Sequence, residues 1–162
     1  MRSPSEAVLQ TRLQELFDYV DGNLVSKVAI KGRLVGTVIG TTKPKGYVVA
    51  FVDGKQYRLH HLIWLFHRGY FEKELDHKDR IRGNNRIENL RPCNHSQNLG
   101  NSRARVHKYK GVTFCKQTNK WRAQIANRAI GRFITIEEAA IAYNKAAIAH
   151  YGEFALLNEV VT

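Results

Sequence analysis

Glycine-bearing turns recur so closely between residues 21 and 54 that no long regular element has room to form there. Asp21-Gly22-Asn23, Lys31-Gly32-Arg33, Gly40–Gly46 and Asp53-Gly54 punctuate this stretch. Between them lie Leu24–Ile30, Leu34–Ile39 and Tyr47–Val52, short runs rich in β-branched and aromatic residues that predict strands. Asp53-Gly54 is a hairpin signal, because a tight two-residue turn asks both residues for positive φ. Helical patterns bracket this region. Ser3-Pro4-Ser5-Glu6 offers a serine cap with an acid in the first turn, followed by Val8, Leu9, Leu13, Leu16 and Phe17 at helical spacing. That helix is expected to run to Asp21-Gly22-Asn23. In Tyr57–Tyr70, Leu59, Leu62, Ile63 and Phe66 share one helical face and predict a second helix.

The pattern changes at Tyr109. Val112–Cys115, Trp121–Ile125 and Ile130–Phe133 predict three short strands, with Lys116–Lys120 and Ala126–Ala129 as turns. Thr135 and Glu138 form a capping box for a closing helix, and Gly152 stops it. Ala139, Tyr143, Ala146, Ala147 and His150 share one face, small enough to let that helix lie close on a sheet. Alternation turns Trp121, Ala123 and Ile125 toward the helix and Arg122, Gln124, Thr113 and Cys115 away from it. Asn101–Lys108 has no apolar periodicity and carries Arg103, Arg105, His107 and Lys108. The expected organisation is therefore a domain at 1–102, a basic linker at 103–108 and a second domain at 109–160, in an α+β chain.

Composition narrows the partners. Net charge is +12 with a pI of about 10.0, and 43% of residues are apolar, so the chain folds and its partner is a polyanion, of which nucleic acid is the commonest. Residues 1–107 hold 18 basic against 10 acidic side chains and residues 108–162 hold 8 against 4, so both parts share the excess. Cys93 and Cys115 lack metal-ligand spacing and are expected as reduced thiols, which points to a cytoplasmic protein. No apolar run is long enough to span a membrane.

Chemistry concentrates in one stretch. Asp76-His77 is followed twelve positions after the histidine by Asn89, and nine further on by Asn98, with a polar, basic loop between, Lys78–Glu88, that carries Arg80, Arg82, Gly83-Asn84 and Arg86. Phosphodiester hydrolysis needs a nucleophilic water, in-line geometry and relief of charge on the leaving oxygen. Asp76 and Asn98 offer two oxygens for a hard cation. An imidazole, with an ordinary pKa near 6.5, can take a proton from water at neutral pH. The Asn89 carbonyl oxygen is expected to hold the other ring nitrogen of His77. Asn94 or Ser96 is a candidate cap for a short helix carrying Asn98. His60 is expected as a packed or hydrogen-bonded residue, and His61 and His67 as supporting or surface residues of the second helix. None of these residues is diagnostic alone; the combination is.

The stretch Tyr57-Arg58-Leu59-His60-His61-Leu62-Ile63-Trp64, Asp76-His77-Lys78-Asp79, Asn84-Asn85-Arg86-Ile87-Glu88-Asn89-Leu90-Arg91 and His95-Ser96-Gln97-Asn98 resembles the phage and homing-type branch of the HNH endonucleases. The resemblance implies a ββα-metal (His-Me) finger in which His77 is the general base, Asp76 and Asn98 hold the metal and Asn89 orients the base. A carboxamide at the last position implies one Mg²⁺ or Mn²⁺ per site, and no cysteine pairs accompany the motif to imply structural zinc. Residues from Lys108 to about Asn158 are similar to the plant APETALA2/ethylene-response DNA-binding domain, on Tyr109-Lys110-Gly111-Val112, Lys120-Trp121-Arg122-Ala123-Gln124-Ile125, Gly131-Arg132-Phe133, Glu137-Glu138-Ala139-Ala140 and Tyr151-Gly152-Glu153-Phe154. That resemblance implies a three-stranded antiparallel sheet plus one helix, with the sheet face in the major groove. Arg122 and Gln124 would then read bases beside Thr113, and Lys120, Arg128 and Arg132 would meet phosphates. In the first domain, Arg80, Arg82 and Arg86 are the expected DNA contacts. Together these imply a metal-dependent endonuclease on double-stranded DNA, of the free-standing or intron-homing phage kind, in the host cytoplasm; the oligomeric state stays open, with a monomer favoured. The alternative is a DNA-binding regulator with an inactive nuclease finger.

Overall fold

The first helix, α1 (Pro4–Leu16), begins as its sequence dictates. Ser3 accepts from the Glu6 N–H and the Glu6 carboxylate accepts from the Ser3 N–H, a reciprocal cap. It ends sooner than expected, because Phe17–Val20 leaves the helix as strand β1 and pairs antiparallel with β2 (Asn23–Ser26). The turn between them is Asp21-Gly22, with φ of 53° and 82°. The hairpin buries Phe17 and Leu24 on one side of the β1–β2 pair.

The computed structural model describes residues 3–29, 32–103 and 108–160. The expected strand at Leu24–Ile30 therefore holds only as far as Ser26, and Ile30 lies outside the described residues. Leu34–Ile39 is not a strand: it makes one isolated bridge, Val38 to Val25, and leaves Leu34, Val35 and Val38 exposed. Strands β3 (Thr41–Thr42), β4 (Val48–Val52) and β5 (Lys55–Arg58) form an antiparallel sheet in that order, with Asp53-Gly54 turning β4 into β5 as expected. Helix α2 (Leu59–Arg68) starts directly from β5 and ends at Gly69 in the left-handed conformation. Leu59, His60, Leu62, Ile63, Trp64 and Leu65 are all buried, so α2 is the centre of the core, wrapped by α1, β1, β2 and β4. Strands β6 (Leu75–His77) and β7 (Leu90–Pro92) pair antiparallel, joined by a loop that closes in a 3-10 turn at Ile87–Asn89.

The chain divides into two compact units, Met1–Cys93 and Asn94–Thr162. The division falls earlier than the expected linker at 103–108, of which residues 104–107 lie outside the described residues. The reason is local to the second unit. Helix α3 (His95–Gly100), capped by Asn94 with Gln97, is fastened there: Lys110 Nζ donates to the Leu99 carbonyl (2.8 Å), Leu156 N–H donates to the Gly100 carbonyl (3.0 Å), and Gly100 lies flat against the Tyr151 ring.

Strands β8 (Val112–Cys115), β9 (Lys120–Ile125) and β10 (Arg128–Phe133) form the sheet of the second unit, in the order β10-β9-β8. Arg128 and Ala129, expected in a turn, belong to β10, because the turn closes on two residues only. Ala126 and Asn127 have φ of 45° and 64°, the conformation whose twist matches the flanking strands. Helix α4 (Ile136–Tyr151), with the expected Thr135–Glu138 capping box, packs across β9 and β10. Ala139, Ala140, Tyr143 and Ala147 are its buried residues; Ala146 is half-buried and His150 is exposed, so the face is rotated from the expected one toward Ala140. The Asn158 side chain bridges the Lys110 N–H (2.7 Å) and carbonyl (3.1 Å), while its backbone pairs with the Asn144 carboxamide, closing the unit on itself. Gly111 sits at φ 72° where a Cβ would collide with the Tyr143 ring and the Gln124 carbonyl oxygen. Gly111→Ala is expected to cost more than about 2 kcal/mol, from backbone strain and overpacking together, read as a lower urea midpoint for the transition that includes this unit.

Candidate functional site

Register places the two central residues. Asp76 pairs with Arg91 and His77 with Leu90 across β6 and β7, and all three residues of β6 are buried. Arg91 Nε and one terminal guanidinium nitrogen converge on Asp76 Oδ2 at 3.1 and 3.0 Å, with both side chains largely enclosed. Arg91 is a site residue that the motif spacing does not single out. A signal for it does exist: on paired strands a residue one step beyond Leu90 must stand opposite Asp76 once His77 faces Leu90.

The loop after His77 is built around one carboxylate. Asp79 Oδ1 accepts from the Ile81 N–H (2.8 Å) and from Asn89 Nδ2 (2.9 Å), and Oδ2 accepts from Asn84 Nδ2 (2.6 Å). Asn89 returns the bond, its Oδ1 accepting from the Asp79 N–H (3.1 Å), and its Nδ2 also reaches the Asn84 carbonyl (2.8 Å). Partial burial pushes the Asp79 carboxyl up, but the hydrogen bonds from Ile81, Asn84 and Asn89 outweigh it and hold it below its ordinary value. Asn89 therefore ties the loop ends together.

The carboxamide seen on the base ring is that of Asn85. His77 Nε2 lies 3.1 Å from Asn85 Oδ1, with Asn85 only 2% exposed. Asn85 Nδ2 donates to the Gly83 carbonyl (3.3 Å), which sets the amide with its oxygen toward the ring. An acceptor at Nε2 places the ring hydrogen there and the basic lone pair at Nδ1. The expectation that the Asn89 carbonyl oxygen holds His77 is thus corrected: the Asp79 network holds Asn89 across the loop, and Asn85 fills its place. The brace behind Asn85 comes from far back in the chain. The Tyr19 hydroxyl accepts from the Ile87 N–H (3.0 Å), Asp21 pairs with Arg86 (3.0 Å), and a Cβ on Gly22 would strike the Arg86 backbone nitrogen at 2.8 Å.

Aromatic rings wall the other side of His77. His60 stands edge-on to it at 5.0 Å and Tyr47 lies 6.3 Å away. His60 is buried as expected, and its Nδ1 makes no hydrogen bond among the described residues. Burial, with His61, His77 and Arg58 adding to it, pushes the His60 pKa down to about 2, so this neighbour of His77 stays neutral. Burial lowers His61 in the same way, and also His67, which is more exposed.

The remaining expected residues separate. Arg86 is engaged by Asp21, Arg82 lies against Tyr47, and Arg80 is exposed at φ 66°. Asn98 sits in α3 of the second unit, half-buried. In the same unit, Thr113, Arg122 and Arg132 form one cross-strand row, Cys115 pairs with Lys120 and Gln124 with Ala129, all on the face away from α4. Thr118, Lys120, Arg122, Ala129 and Arg132 line a concave part of that face. Arg128, expected to meet phosphates, pairs with Ile125 as the first residue of β10 and is exposed. Among the described residues, no three His, Cys, Asp or Glu side chains cluster as a metal-binding group.

A buried neutral histidine links stability to pH. The folded His60 pKa lies far below the unfolded value, so unfolding takes up a proton once pH falls below about 6.5. Stability is expected to be complete above that pH and to fall by up to about 1.4 kcal/mol per pH unit below it from this residue alone. His60→Phe should flatten the slope of urea midpoint against pH between neutrality and pH 5; an unchanged slope would place the dependence elsewhere.

Residues 57–99, just over a quarter of the chain, match the family model of an HNH endonuclease. No curated protein and no solved structure matches the chain. No helix among the described residues is long and apolar enough to cross a membrane. HNH nucleases generally use a divalent metal ion, and the match supports an HNH-type nuclease region with DNA as its substrate, on the segment that carries Asp76, His77, Asn85, Asn89 and Arg91.

Proposed function

We propose that this chain is a metal-dependent DNA endonuclease in which His77 activates water. The observation that carries the reading is the Asn85–His77 hydrogen bond, which supports Nδ1 as the base, inside the segment matched to HNH endonucleases. Water oxygen attacks phosphorus as Nδ1 takes its proton, the bond from phosphorus to the leaving oxygen breaks, and that oxygen departs to be protonated. Asp76 carboxylate and Asn98 carboxamide oxygens suit a hard cation such as Mg²⁺ or Mn²⁺, which commonly binds through one or two carboxylates plus substrate phosphate oxygens. The Asn98 assignment rests on the motif spacing. When bound, the ion would neutralise charge on the leaving group. Asn89 serves this chemistry through the loop, keeping Asp79, Asn84 and the strand ends in place.

The second unit is proposed to bind double-stranded DNA through the sheet face opposite α4, in the manner of APETALA2/ethylene-response domains. Arg122 and Gln124 would read bases beside Thr113, while Lys120 and Arg132 meet phosphates. Such a pairing fits a free-standing or intron-homing nuclease of phage type, in which the binding module concentrates the nuclease at its target.

Nicking of supercoiled plasmid with Mg²⁺ or Mn²⁺, lost on chelation, is the expected result; DNA left intact with every divalent ion tried would leave a DNA-binding regulator. His77→Ala should abolish nicking while DNA affinity persists. Asn85→Ala should lower the single-turnover rate by about 10- to 100-fold, the cost of a misoriented base, with affinity unchanged. Arg122→Ala should weaken binding in anisotropy titrations and relax sequence preference, at a cost of about 1–3 kcal/mol.

A further inference from the structure

We propose that Arg58, Tyr47 and Arg82 form a phosphate-binding site beside His77 that holds the backbone of the DNA strand being cut. The inference rests on the nuclease reading and adds its substrate-positioning site. Tyr47 stands between the motif and two cations. Its ring centre is 6.3 Å from that of His77 and 5.7 Å from that of His60. The Arg58 and Arg82 guanidinium carbons lie 5.0 and 4.9 Å from the same ring centre, so the two charges are no more than about 10 Å apart. That separation is comparable to the screening length at physiological salt, so their repulsion persists in the free protein.

Both cations are held in place. Arg58 is the last residue of β5, paired with Val49, and is followed directly by buried Leu59 and His60. Arg82 donates to the Lys45 carbonyl at 2.9 Å. Lys45 belongs to a tight turn closed by the Gly46 N–H on the Lys43 carbonyl (2.7 Å) and the Lys43 N–H on the Tyr47 carbonyl (2.8 Å). The turn thus couples the position of the Tyr47 backbone to that of the Arg82 side chain. Lys43 and Lys45 are themselves exposed and add to the local charge.

Arg12, Arg86 and Arg91 each meet a carboxylate, whereas among the described residues neither Arg58 nor Arg82 has an acidic partner. A ring that gathers two exposed, unneutralised guanidinium groups next to a general base is organised for an anion. A planar fork donor favours phosphate oxygens, and cation–π contact with Tyr47 orients each fork before substrate arrives.

The test uses the full chain in two assays. In chelator, anisotropy with a short labelled duplex gives the slope of log affinity against log salt. The double variant Arg58→Gln/Arg82→Gln is expected to lower that slope by roughly 0.9 for each phosphate that is no longer neutralised, and an unchanged slope overturns the phosphate site whether or not the protein cuts. In the presence of metal, the same variant at saturating protein is expected to lower the single-turnover nicking rate by about tenfold or more. A lower slope with an unchanged nicking rate overturns the placement against the cut strand. Arg82→Lys should restore the slope and not the rate, because an ammonium keeps the charge and loses the stacked fork. Tyr47→Leu should lower the rate with the slope intact, and Tyr47→Phe should retain both; rates equal in the two Tyr47 variants would overturn the role of the ring. Absence of nicking by the wild-type chain would sink the nuclease reading alone, with the salt slope still deciding whether Arg58 and Arg82 meet phosphate.

Discussion

The pairing of β6 with β7 is the constraint on which the candidate site depends. Side chains alternate along a strand, so a one-residue slip would send Asp76 and His77 each to the opposite face. Three-residue strands have little register preference of their own. The Asp76–Arg91 pair supplies it, with two guanidinium nitrogens on one carboxylate oxygen inside a nearly closed environment. Enclosing two charges is costly, and leaving either one alone there costs several kcal/mol more. The wrong registers therefore each carry an unpaired buried charge. The pair specifies the geometry more than it adds net stability.

The loop between the strands shows how a polar stretch becomes rigid without an apolar core. Asp79 accepts hydrogen bonds from Ile81, Asn84 and Asn89, and Asn89 closes the circuit back to the Asp79 backbone. A network satisfied on every side is rigid, because breaking one bond strands its partner. Asn85 can then hold the His77 ring from a fixed backbone. The hairpin of β1 and β2 completes the support through Tyr19, Asp21 and Gly22. Nothing in the spacing of the motif indicates that support, since Tyr19 and Ile87 are brought together only by folding.

The second unit was the more legible of the two in the sequence. Its capping box, strand alternation and glycine stop are short-range signals, and each is an interaction among residues a few positions apart. Alternation placed Arg122 and Gln124 on the outer face, and the register agrees. The expected turn at Ala126–Ala129 is shorter, because β10 begins two residues early after a tight turn, and that strand carries a register shift between Ala129 and Gly131. In the first unit the expected strand at Leu34–Ile39 failed because its first half is a turn, closed by the Thr37 N–H on the Leu34 carbonyl, so the segment meets β2 only from Gly36 to Ile39, as an isolated bridge.

The sequence by itself determined the elements and the chemical inventory: which residues cap helices, where chain reversals fall, and that an acid, an imidazole and several carboxamides lie near one another amid positive charge. Those follow from local sterics and hydrogen bonding, which neighbouring residues settle among themselves. Only the tertiary structure decided which carboxamide serves which group. Asn84, Asn85 and Asn89 are chemically alike, and loop closure alone assigns Asn85 to the base and the other two to Asp79. Likewise only folding set Arg91 against Asp76 and gathered Arg58 and Arg82 on Tyr47, because such contacts depend on how strands register and a turn docks, and no residue carries that information alone.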